Sequence, residues 1–130
     1  VDENKIDISI TNNYKINKKA YLEMISYYSK EVDLLNNAIH NHNGEVFIFG
    51  AHIFTQYLTY MGLDSKRIKC IIDNSKIKLG KRLYGNTLFV KNPIEISESK
   101  NPLVILKAGQ YQKEIEVQLK ELSNDVKIIS

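Results

Sequence analysis

The most regular periodicity in the chain lies between residues 17 and 42. Tyr21, Ile25, Tyr28, Val32, Leu35 and Ile39 recur at alternating intervals of four and three. That spacing predicts a helix with one apolar seam, capped by Asn17 and closing near His42. Ahead of it, Val1–Asn13 is polar, with a short alternation at Ile6, Ile8 and Ile10 that predicts an edge strand or a linker. After it, Val46-Phe47-Ile48-Phe49 is an unbroken apolar run between Asn43-Gly44 and Gly50. Strands buried on both faces read this way, and they belong to parallel sheets covered by helices. Beyond the Gly50-Ala51 turn, Ile53, Phe54, Tyr57 and Leu58 form the apolar stripe of a second helix.

The remaining pattern continues the alternation. Ile68–Ile72 is a second strand ending on Asp73-Asn74, and residues 74–86 form an irregular loop with Gly80 and Gly85. Leu88-Phe89-Val90 is a short third strand, and Pro93 with the residues after it makes a turn or one helical turn. Pro102 starts a fourth strand, Leu103–Leu106, whose exit loop is Lys107-Ala108-Gly109-Gln110-Tyr111. Ile115, Leu119 and Leu122 mark a third helix, and Val126–Ile129 is a last strand. Strands alternating with helices imply an α/β, Rossmann-like three-layer sandwich with a mostly parallel sheet. We place the strands in the order 3-2-1-4-5, with the topological switch between the first and the fourth. The predicted organisation is a polar segment and long connector helix over residues 1–43, and a Rossmann-like domain over 44–130.

Composition narrows the class. An apolar fraction of 43% supports a packed core and excludes a disordered chain. No apolar run approaches the roughly 20 residues of a membrane span. The chain starts on Val1 without a signal-peptide pattern, so a cytoplasmic piece of a longer protein is expected. The single cysteine, Cys70, lies in an apolar run and reads as a buried thiol in a reducing compartment.

Charge adds a candidate site. The net charge is only +3, yet residues 66–82 hold seven cations (Lys66, Arg67, Lys69, Lys76, Lys78, Lys81, Arg82) against Asp73 alone. This run brackets the end of the second strand, which suits a phosphorylated small molecule; a solvated rim is the plainer alternative. No aromatic residue interleaves the cations, so nucleic acid is not the expected partner. In the predicted topology Gly50, Ala51, His52, Asp73, Asn74 and Lys107–Tyr111 share one carboxyl edge around one crevice. The amides opening the second helix would seat an anion there.

A dinucleotide fingerprint, G-x-G-x-x-G, falls here on Gly50, His52 and Thr55, so only its first glycine is present. His52 stands where backbone should approach a pyrophosphate, although it can instead donate a hydrogen bond to a smaller anion. Asp73, 23 residues after Gly50, is spaced like a ribose-binding acid. His40 and His42 lack further metal ligands nearby, and placement against the negative end of a helix explains them. Glu114, Glu116 and Glu121 read as a solvated helix face. No nucleophile–base set and no carboxylate pair stands in motif context, so the residues describe a binding module rather than a complete catalyst.

Taken as an ordered set, several of these residues resemble the C-terminal domain of bacterial sugar C-methyltransferases. The set comprises Gly50-Ala51, Asp73-Asn74, Lys78 with Gly80 (one residue tighter than some members), Tyr84-Gly85 and Glu114-Ile115, across about residues 44–120. The resemblance implies a three-part enzyme of surface-polysaccharide or deoxysugar synthesis. A cysteine-rich zinc segment and a central S-adenosylmethionine-binding domain would precede this region. Methyl transfer would occur mainly in that central domain, so the chain by itself carries no catalytic residue, cofactor or metal. Its own task would be to hold a nucleotide-linked sugar (dTDP-, CDP- or similar) with Gly50, Ala51, His52, Asp73, Asn74, Lys78, Tyr84, Gly85, Lys107, Gly109, Gln110 and Tyr111. Two alternatives stand beside it. One is a free-standing NAD- or nucleotide-binding module; the other is a non-catalytic interaction domain that forms a homodimer through the helix seam.

Overall fold

In the computed structural model, the backbone is described over residues 3–130 and the side chains over residues 13–130. Helix α1 runs without a break from Glu3 to His40. The expected edge strand or linker before residue 13 is therefore helix from Glu3 onward, and Val1 and Asp2 lie outside the described residues. Asn17 caps nothing, because it sits inside α1. No glycine or proline interrupts residues 3–40, so the backbone has no reason to stop at Asn17.

Strand β1 (Val46–Phe49), helix α2 (Ile53–Tyr60) and strand β2 (Ile68–Ile72) follow. Strand β3 is Val90–Lys91, two residues later than the hydrophobic run at Leu88 suggests. Leu88 is buried, but beneath the loop, while Arg82 and Phe89 form an isolated antiparallel bridge. A 3-10 turn (Pro93–Glu98), strand β4 (Leu103–Leu106), helix α3 (Gln112–Leu122) and strand β5 (Lys127–Ile129) complete the chain.

All four strand pairings are parallel, in the order β3-β2-β1-β4-β5. Alternate residues of the central strands enter opposite cores. Val46, Ile48, Ile71, Leu103 and Ile105 face α1 and α2, where Val32, Leu35, Ile39 and Leu58 meet them. Phe47, Phe49, Cys70, Ile72, Val104 and Leu106 face the other way, onto Ile96 and Leu119. The result is the expected three-layer sandwich. Fully burying each of these side chains contributes roughly 1.5–3 kcal/mol, which explains why the central strands are apolar on both faces.

The α1 seam docks by halves. Val32, Leu35 and Ile39 are buried, Tyr28 packs on Phe54 and Tyr57 with ring centroids 5.4 Å apart, and Tyr21 is exposed. Among the described residues, no helix is long and apolar enough to cross a membrane.

Cys70 lies inside the second core, and burial pushes its thiol up to about 11. At pH 8 it is therefore neutral and inaccessible. A chromogenic disulfide reagent at that pH is expected to label Cys70 only at the rate of global unfolding, and rapidly in denaturant. Stoichiometric labelling of the folded protein within seconds would contradict this packing.

Candidate functional site

The site is built from the carboxyl ends of β1, β2 and β4. Phe49 is in register with Ile72 on one side and Leu106 on the other. Gly50, Asp73 and Lys107, one residue beyond each strand, thus share one rim of the sheet at its switch point.

The glycine turn is locked from three sides. Gly50 has φ +102° and donates its N–H to Ile72 O at 2.8 Å. The Ala51 N–H donates to Asp73 Oδ2 at 2.8 Å. Thr55, fully buried at the third fingerprint position, donates its hydroxyl to Gly50 O at 2.6 Å. The imidazole of His52 folds back over Gly50, where an added Cβ would lie 2.4 Å from Nε2. The ring thus occupies the space through which a pyrophosphate would approach the turn.

Asp73 is held as firmly. Its Oδ1 accepts the Ser75 N–H at 2.8 Å, and Lys78 Nζ lies 3.6 Å from Oδ2. His52, Asp73 and Lys78 form one cluster at the start of α2. His52 itself is the N-cap residue, but its side chain makes no capping hydrogen bond. The amides of Ile53, Phe54 and Thr55 open the helix and have no intrahelical acceptor. Together with Lys78 they make this corner attractive to an anion.

Burial, and secondarily the Lys78 charge, hold the His52 pKa below its ordinary value. The unfolded chain then binds a proton that the folded chain resists, so stability is lost as pH falls through 6.5 toward the folded pKa. The His52→Gln variant is expected to show a flatter stability profile between pH 7 and pH 5 in urea titrations. An unchanged slope would place the effect elsewhere.

The remaining predicted residues separate. Asn74 exchanges two amide hydrogen bonds with Gln118 of α3, at 2.9 and 2.8 Å. Lys107 Nζ donates to Glu31 Oε2 of α1 at 2.6 Å, both largely shielded from solvent. Gly109, Gln110 and Tyr111 form an exposed 3-10 turn on the same rim. Tyr84 and Gly85 lie away from this cluster, at a turn facing the outer side of α2, where they line a cleft with Ile53, Gln56, Tyr57, Thr59 and Tyr60. The α2 stripe is accordingly split: Leu58 is buried and Phe54 half-buried, whereas Ile53 and Tyr57 are exposed. Thr55 takes the core position between them because its hydroxyl is satisfied by Gly50 O.

Sequence reading met Thr55 only as a fingerprint position without its glycine and not as a tie for the turn, and it missed Glu31, Gln118 and Gln112, the last of which accepts the Ala108 N–H at 3.1 Å. They are partners brought from distant segments or unremarkable helix positions, and no local pattern marks them. Ile53, Tyr57 and Tyr60 did carry a signal, an i, i+4, i+7 spacing on α2. Among the described residues, no group of three or more His, Cys, Asp and Glu side chains is placed to hold a metal. His40 Nε2 lies 3.0 Å from Asp64 Oδ2, and His42 Nε2 lies 2.7 Å from Asn101 O, so the two imidazoles serve different partners.

No curated protein and no solved structure matches the chain. The family model of the C-methyltransferase C-terminal domain matches residues 3–129, so the match reaches back through α1. The chain therefore belongs to the C-methyltransferase C-terminal domain family.

Proposed function

We propose that this chain holds a nucleotide-linked sugar for S-adenosylmethionine-dependent C-methylation performed by another domain. The observation that carries the reading is the free amino end of α2 at the sheet's switch point, with Lys78 beside it. Family membership supplies the reaction class. The diphosphate would meet the Ile53–Thr55 amides and the Lys78 ammonium, because Ala51 already donates to Asp73. The sugar would extend along the rim toward Gly109–Tyr111, open to a neighbouring domain. The chain's own residues do not fit S-adenosylmethionine: His52 covers the glycine turn, and both Asp73 oxygens are engaged within the fold. The methyl donor therefore belongs, in this reading, outside this chain.

Calorimetry with dTDP- and CDP-linked sugars tests the reading. Binding is expected, with affinity about tenfold lower for Lys78→Ala, as for the loss of one charge-assisted hydrogen bond. Binding of S-adenosylmethionine with no response to any sugar nucleotide at millimolar concentration would overturn it.

A further inference from the structure

The outer face of α2 is aromatic although it meets solvent. Tyr60 is 87% exposed, and across from it Tyr84, on a turn whose Gly85 has φ +72°, is 89% exposed. With Ile53, Gln56, Tyr57 and Thr59 they line a cleft of about 390 Å³. A polar hollow lined by Thr59, Ser65, Gly85, Asn86 and Thr87 adjoins it. No charged side chain lines either space.

That lining selects its occupant. A phosphate would find no cation there, and a purely aliphatic group would leave the Gln56 amide and the tyrosine hydroxyls without use. A flat ring with apolar faces and a polar edge answers both surfaces, and bases stack on aromatic side chains regardless of sequence. The volume is within the usual range for small-ligand sites. Position adds a second argument. The cleft begins at Ile53, the first residue of α2, and Tyr60 lies seven residues further on, about 10 Å along the helix axis. A ribose and the base it carries together cover such a distance from a diphosphate at the helix start.

We infer that the Tyr60–Tyr84 cleft seats the nucleobase of the nucleotide-linked sugar, leaving the sugar on the opposite side of the diphosphate, at the rim. The inference rests on the reading of the chain as a sugar-nucleotide-binding domain. It also divides the labour: the base is an anchor remote from the methylated carbon, and its binding contributes to positioning.

The test follows tyrosine ring signals and the Ile53–Thr55 amides by NMR during titration with thymidine, thymidine diphosphate and inorganic pyrophosphate. Wild type is compared with Tyr60→Ala and Tyr84→Ala, two exposed positions outside both cores, whose thermal midpoints are measured alongside. Thymidine diphosphate is expected to shift the Tyr60 and Tyr84 rings, and each variant to bind it about tenfold more weakly. Pyrophosphate should shift only the α2 amides and bind all three proteins alike. Wild-type affinity for thymidine diphosphate in both variants, with the amide shifts intact, overturns the base seat and leaves the sugar-nucleotide reading standing. Ring shifts with thymidine that both variants abolish, without any amide response to diphosphate, keep the base seat and remove that reading. Silence of the rings toward every ligand overturns the base seat.

Discussion

Gly44→Ala is expected to destabilise the protein by roughly 3 kcal/mol and to lower its melting temperature by about 10 °C. An added Cβ would lie 2.1 Å from the Asn101 backbone oxygen, 3.0 Å from its carbonyl carbon and 2.8 Å from His42 Nε2. None of these can withdraw cheaply. His42 Nε2 already bonds Asn101 O at 2.7 Å, and the Asn101 N–H donates to Asp125 Oδ2 at 2.7 Å. Asn101 is itself in the left-handed region at φ 50°, and two residues later Leu103 N donates to Glu45 O at 2.9 Å. The methyl group would thus separate the entries to β1 and β4, the two strands that define the switch point. Gly85→Ala is the control. Its φ of +72° imposes backbone strain, but a Cβ there meets nothing within 4 Å, so a loss of only about 1–2 kcal/mol is expected. Urea midpoints of the two variants check the contrast, and equal values would mean that Gly44 does not lie against Asn101.

The same residues show where sequence reading succeeds and where it stops. The run Val46–Phe49 announces its own environment, because a strand covered on both faces is apolar at every position; the strand order was placed on the alternation of strands and helices with right-handed crossovers, and the sheet has that order. The start of α1 was not legible. Ile6, Ile8 and Ile10 fit a two-residue period as well as a helix, and Asn17 is a good cap residue that is merely tolerated inside a helix. The site was legible as a rim, since topology places Gly50, Asp73 and Lys107 together. Which side chains remain available to a ligand was not. The bonds from Lys107 to Glu31 and from Asn74 to Gln118 join residues 76 and 44 positions apart, and no local spacing encodes them. Tyr84 was expected among the sugar-nucleotide contacts from the family resemblance, and its turn lies along α2, on a different surface from the rim.

Asp73→Ala is expected to cost about 2–4 kcal/mol, because the carboxylate is a clamp within the fold. Removing it leaves the Ala51 and Ser75 N–H groups without acceptors and Lys78 without its counter-charge. The side chain is only 13% exposed, so water replaces these partners poorly. Asp73→Asn keeps one acceptor oxygen and turns an NH2 toward the other donor, so about half the loss is expected. The spacing from Gly50 that suggests a ribose ligand makes the opposite forecast: an unchanged urea midpoint with sharply weaker nucleotide binding. Measuring both quantities on both variants separates the two roles. The clamp predicts that stability falls first, and that the folded fraction of Asp73→Asn still binds a sugar nucleotide. One negative charge fewer beside the α2 amino end should even favour the diphosphate, since the Ile53–Thr55 amides and Lys78 would then face it without a competing carboxylate. Loss of binding in a fully stable Asp73→Asn protein would return this residue to the ligand and move the clamp to Thr55, whose hydroxyl holds the same turn from below.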